Sequence, residues 1–89
     1  MKYSVDVLRS AQKVLEKLSA DQQDRVLAVL ESLAEVPRPD GCRKLSGRDA
    51  WRVRVGDYRV IYEVADDTRQ VTVVVIAHRK DAYRSLQAT

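Results

Sequence analysis

The stretch Trp51-Arg52-Val53-Arg54-Val55-Gly56-Asp57-Tyr58-Arg59-Val60-Ile61-Tyr62 decides the fold. On both sides of Gly56-Asp57, large apolar residues recur at every second position, the period of a strand with one buried face. A two-residue connection with glycine first is a hairpin turn, because such turns need a positive φ there. Side chains two apart on a strand share a face. Trp51, Val53, Val55, Tyr58, Val60, Tyr62 and Val64 therefore point one way, and Arg52, Arg54 and Arg59 the other.

Toward the C-terminus, Asp66-Asp67-Thr68 supplies the next turn, and Val71 to Ala77 is a continuous, mostly β-branched run. Such a run reads as a central strand buried on both faces. Asp81 to Leu86 can form a short terminal helix. Toward the N-terminus, residues 36–49 hold proline, glycine and charge without periodicity and read as a loop. Before them, Val7, Leu8, Ala11, Val14, Leu15 and Leu18 recur at three- and four-residue steps, one buried helical stripe. Ser19 opens a second helix through a Ser-x-x-Gln capping box, in which its hydroxyl accepts from the Gln22 backbone and Gln22 reaches back. The stripe resumes at Val26, Leu27, Leu30, Leu33 and Ala34 until Pro37 and Pro39 stop it. Lys2 to Val5 reads as an edge strand. The expected fold is α+β, in the order β-α-α-β-β-β with a terminal α, the two N-terminal helices packed on one face of a mostly antiparallel sheet.

The chain has 89 residues, of which 45% are hydrophobic and 33% charged, enough for one small domain spanning residues 1–89. Cys42 has no second cysteine to pair with, which excludes an internal disulfide and a cysteine zinc site, and a reducing cytoplasm is the expected compartment. No apolar run approaches the ~20 residues that span a bilayer, and no signal-peptide pattern is present. His78 is the single histidine, and no glycine-rich phosphate loop occurs, so most familiar enzyme signatures are missing. The net charge of +3 is unevenly placed: Lys and Arg number 6 against 7 Asp and Glu through Asp40, and 10 against 6 beyond it. That asymmetry fits either a solvated charged face or a face that meets a polyanion.

Strand parity gathers the excess. Arg52, Arg54 and Arg59 stand on the face away from the helices, like charges whose proximity costs stability unless Glu63 pairs with one of them or a ligand neutralises them. Arg79, Lys80 and Tyr83 follow the central strand at once and add cations and a phenol at the end of the same sheet. A phosphate-binding patch with an aromatic ring for base stacking is the usual composition for single-stranded RNA contact. Tyr83 can equally be a core residue of the last helix, and Lys80 and Arg84 ordinary solvated charges.

Three runs, Lys44-Leu45-Ser46-Gly47, the hairpin quoted above, and Val75-Ile76-Ala77-His78-Arg79-Lys80-Asp81-Ala82-Tyr83, together resemble the RelE branch of the RelE/ParE toxin superfamily over nearly the whole chain. The resemblance implies a RelE-like microbial RNase fold and a ribosome-dependent mRNA endonuclease that cuts the codon in the 30S A site. In that family the ribose 2′-OH attacks the adjacent phosphate, leaving a 2′,3′-cyclic phosphate and a 5′-OH end, with no metal or cofactor.

By position, Arg59 is similar to the arginine that clamps the scissile phosphate, and Arg79 to the one assigned to leaving-group protonation or charge stabilisation. Tyr83 is similar to the tyrosine that orients the mRNA. Arg52 and Arg54 fall where well-studied members carry lysines. Lysine can lower its pKa in a crowded cationic site and act as a base, whereas arginine stays protonated. Arg54 is thus expected to stabilise charge, with Arg52, Lys44, Lys80 and Arg84 as RNA-binding cations. His78 is open between a structural residue and a base, since imidazole titrates near neutrality.

The resemblance further implies a RelB-like antitoxin partner, a toxin–antitoxin hetero-oligomer, and no membrane association. Two other functions fit the same residues. One is a ParE-like inhibitor of DNA gyrase, and the other is a non-catalytic RNA-binding protein that blocks the A site.

Overall fold

A computed structural model describes residues 2–47 and 49–80. Strand β1 (Ser4–Val7) leads into α1 (Arg9–Lys17) and α2 (Ala20–Glu35). Strands β2 (Arg43–Lys44), β3 (Trp51–Val55), β4 (Tyr58–Ala65) and β5 (Gln70–His78) follow. They form one five-stranded sheet in the order β1-β5-β4-β3-β2. Only the β1–β5 pair is parallel; the other three are antiparallel. The terminal helix expected over residues 81–86 lies outside the described residues.

The helices cover one face. Ala11 and Leu15 of α1 and Val26, Leu30 and Leu33 of α2 pack on Val55, Val60, Tyr62, Val71, Val73 and Ile76 of the sheet. Ser19 caps α2 as its sequence requires, its Oγ accepting from the Gln22 N–H at 3.3 Å. Beside the cap, Gln23 Nε2 donates to the Leu15 carbonyl at 3.1 Å, tying α2 to the end of α1.

Two boundaries differ from the sequence reading. Strand β1 runs to Val7 because Val5 and Val7 pair in parallel register with Val71 and Val73. Val7 therefore leaves the helical stripe, and Leu8 becomes the residue before α1, its N–H donating to the Val73 carbonyl at 2.9 Å. The segment 36–49 is also more than a loop, because Arg43 and Lys44 pair with Arg52 and Trp51 and make a short edge strand.

Strand β5 carries a bulge. Ile61 pairs with Val75 and Tyr62 with Val73, leaving Val74 as the extra residue. Parity changes at that point. Val71 and Val73 face the helices, Val74 and Val75 pack against a second apolar cluster of Ala50, Ile61 and Ala77 on the other face, and Ile76 returns to the helix side.

The loop after α2 is fastened to the sheet. Tyr62, fully buried, donates its hydroxyl to the Pro37 carbonyl at 2.7 Å. Arg38 lies 5.1 Å from the Trp51 ring centroid and makes two bonds to Asp66, at 2.8 and 3.1 Å. Tyr3 donates to the same carboxylate at 2.7 Å. These two donors, Arg38 first, hold the Asp66 carboxyl below its ordinary range, while the shared bond raises the Tyr3 phenol.

Candidate nucleic-acid interface

The hairpin turn at Gly56, where φ is +60°, sets the register of β3 against β4. Val55 faces Tyr58, Arg54 faces Arg59, Val53 faces Val60, and Arg52 faces Ile61. Because directly opposed residues share a face, Arg52, Arg54 and Arg59 lie on the side away from the helices, as parity requires. The row is longer than expected, since Arg43 of β2 sits opposite Arg52. Sequence reasoning missed Arg43. It sits on a strand two residues long within an aperiodic stretch, and its only signal was a cation preceding Lys44.

Arg54 is exposed, but Arg59 is only 8% exposed. Strand β4 runs between β3 and β5, and the apolar cluster of Ile61, Ala50 and Ala77 shares its outer face. Arg59 thus contributes its charge from beneath the surface. Arg43 and Arg59 each face another arginine across the strands, an arrangement that disfavours pairing by itself. The ion pairs Lys2–Glu35, Arg38–Asp66 and Lys44–Asp49 engage neither Arg43 nor Arg54. Glu63, on the outer side of β4, is four residues, about 13 Å, along the strand from Arg59 and nearer in register to Arg52.

Arg79 follows β5 at the hairpin end of the sheet. Its backbone N–H donates to the Asp57 carbonyl at 2.8 Å, which holds this exposed residue close to the turn that follows Arg54. The β5 bulge puts Ala77 opposite Arg59 on the outer face, and Arg79 is two residues further on. Lys80 is exposed beside it, its N–H donating to His78 Nδ1 at 3.3 Å.

His78 faces away from this row. It pairs with Tyr58 in register, and the two rings meet edge-on with centroids 5.7 Å apart, on the helix side of the pleat. Lys44 is also on that side, opposite Trp51, with its Nζ 3.9 Å from Asp49. The structure therefore brings together Arg43, Arg52, Arg54, Arg59 and Arg79, and separates Lys44 and His78 from them. Tyr83 and Arg84 lie outside the described residues. Among the described residues, no cluster of three or more His, Cys, Asp or Glu side chains could hold a metal ion, and no helix is long and apolar enough to cross a membrane.

The profile of a family described as ParE toxin of type II toxin-antitoxin system, parDE, matches residues 4–83. A relative from Methanocaldococcus jannaschii named for toxin RelE1 is 30% identical over 89 residues, covering 96% of this chain and 99% of that protein. This chain belongs to the RelE/ParE toxin superfamily. Its fold agrees with the crystal structure of the archaeal RelE–RelB complex from Pyrococcus horikoshii, with TM-score 0.82 and 31% identity over 92% of this chain and 100% of that one. The toxin in the intact Escherichia coli RelBE complex gives TM-score 0.75 and 26% identity over 85% of this chain and 95% of that one. A RelE-like toxin fold of two helices on a five-stranded mixed sheet thus supports the arginine row.

Proposed function

We propose that this toxin is a ribosome-dependent mRNA endonuclease that cuts the A-site codon and thereby stops translation. The observation that carries the reading is the row of Arg52, Arg54 and Arg59 on one sheet face with Arg79 at its end. Cations gathered along one sheet face suit a ligand that arrives with several negative charges.

In the cleavage step the 2′-oxygen bonds to phosphorus, the bond to the 5′-oxygen breaks, the 2′-proton leaves to solvent, and the departing 5′-oxygen takes up a proton from solvent to become the 5′-OH. Charge grows on the phosphoryl oxygens and then on the leaving oxygen. Arg54, exposed beside the hairpin, neutralises the first, and Arg79 the second, while Arg59 strengthens the field from below. Guanidinium stays protonated at any physiological pH, so these residues stabilise charge rather than remove protons. His78 faces Tyr58 on the far side of the pleat and takes no part in the step. Tyr83 completes the site by orienting the RNA, and Lys80 and Arg84 add contacts to the backbone. A RelB-like antitoxin neutralises the toxin in a hetero-oligomer, as the RelE–RelB complexes of relatives suggest, and the target places the protein in the cytoplasm.

The test is primer extension on programmed ribosomes. Arg54→Ala and Arg79→Ala should each lower A-site cleavage by about 10²–10³-fold while the circular dichroism of the fold is retained. Intact mRNA with the wild-type protein, or undiminished cleavage by the double variant, overturns the reading. The match to the ParE profile favours a second reading, inhibition of DNA gyrase. A supercoiling assay run beside the ribosome assay separates the two, and translation arrest with uncut mRNA identifies a steric A-site block.

A further inference from the structure

The arginine row does not end at the cleavage residues. Between β2 and β3 the same face forms an open concavity of about 410 Å³, lined by Gly41, Arg43, Arg52 and Arg54. Among the described residues its lining holds three arginines and no carboxylate. Arg43 and Arg52 oppose each other across the strands, and Arg52 and Arg54 are two positions, about 7 Å, apart on β3. Arg54 belongs both to this concavity and to the cleavage face, so the two are continuous. Gly41, with φ +91°, turns the chain into β2, and a side chain there would have met nothing within 4 Å, which leaves the rim open. The Cys42 N–H donates to the Pro39 carbonyl at 3.1 Å and steadies the turn that delivers Arg43.

We propose that Arg43, with Arg52, forms a second phosphate subsite, which holds the phosphodiester flanking the scissile one on the side away from Arg79. This inference rests on the reading of the face as an RNA-binding one and extends it to the sheet edge. From Arg79 beyond β5 to Arg43 on β2, the row crosses three strand spacings, about 14 Å, more than a single phosphodiester spans. A lone phosphate or sulfate would engage one end of such a row. A single-stranded RNA laid across the strands places successive phosphates over successive arginines and leaves its bases free for contacts elsewhere. Arg43 is a positioning residue here, since it grips the chain beside the reacting phosphate rather than the reacting atoms.

The experiment is binding of a short 2′-O-methyl oligouridylate, which cannot be cleaved, to the full chain by fluorescence anisotropy over a range of salt concentrations. Arg43→Ala should weaken binding about tenfold at low salt. It should also reduce the slope of log K against log salt by about 0.7, the loss of one phosphate contact on a single strand. Arg43→Lys should restore the slope, since it restores the charge. Wild-type affinity and slope in Arg43→Ala, with Arg54→Ala impaired in parallel, overturn the subsite and leave the nuclease reading standing. No binding by the wild-type chain at low salt also overturns it. The converse, a lowered slope in Arg43→Ala together with mRNA left uncut on ribosomes by the wild-type chain, keeps an RNA-phosphate subsite at Arg43 and removes the nuclease.

Discussion

Tyr62 shows how one side chain can organise the region next to the arginines. Its ring is fully buried between the helices and the sheet, and its hydroxyl holds the Pro37 carbonyl. Burial, with the Cys42 thiol second, pushes the phenol above its ordinary value. In the unfolded chain tyrosine loses its proton near pH 10, whereas the folded protein keeps it, so the unfolded state binds fewer protons above that point. This contribution to stability is complete below about pH 10 and is lost as pH rises toward the folded value. Tyr62→Phe should cost about 1 kcal/mol at neutral pH, the worth of one hydrogen bond, and should remove part of the alkaline decline. Urea denaturation of both proteins at neutral pH and above about pH 10 measures both effects. A Phe variant equal to wild type at neutral pH would show that the Pro37 bond contributes nothing.

The hairpin is the element on which the site depends. Gly56 has φ +60°, and the nearest atom to a side chain there would be Arg25 Nη1 at 3.9 Å, an ordinary contact. The penalty of Gly56→Ala is therefore conformational, about 1–2 kcal/mol, and should appear as a lower urea midpoint with an unchanged slope. The hairpin was legible in sequence because a strict period of two flanks a turn dipeptide, so the face of Arg52, Arg54 and Arg59 followed from parity alone. Helix α2 was legible for a similar reason, with Ser19 at its start and Pro37 beyond its end. Strand β5 was not. A run of valines and isoleucine has no alternation to interrupt, so the bulge at Val74 left no mark. Counted straight from Val71, His78 would join the arginines. The bulge moves it to the helix side and places Ala77, and two residues later Arg79, on the outer face. Strand β2 escaped because its two residues gain their pairing from β3, a tertiary contact that no local pattern encodes. The burial of Arg59 was hidden likewise, since parity gives a side chain's direction and not what packs around it.

At the scale of the whole molecule, an average charge of +3 conceals a division of labour between two surfaces. The outer sheet face carries the arginines. On the other side, Leu8 and Leu27 are 45% and 41% exposed, and an open groove of about 460 Å³ between β1 and the helices is lined by Val5, Val7, Leu15, Leu27 and Leu30, with Asp6 and Gln12 among them. A domain of 89 residues buries a smaller share of its surface than a larger one, so covering this apolar area should add a sizeable fraction to its stability. On the proposed reading a RelB-like antitoxin does so and shields the cationic face as well. A partner present at 100 times its dissociation constant, and without affinity for the unfolded chain, raises the unfolding free energy by about 2.7 kcal/mol. The co-purified complex should therefore melt well above the free toxin and leave A-site mRNA uncut, and digestion of the antitoxin should release cleavage at the free toxin's rate. A stabilised complex that still cuts mRNA would mean that the partner covers the apolar side alone and leaves Arg54 and Arg79 open, which would separate stabilisation from neutralisation.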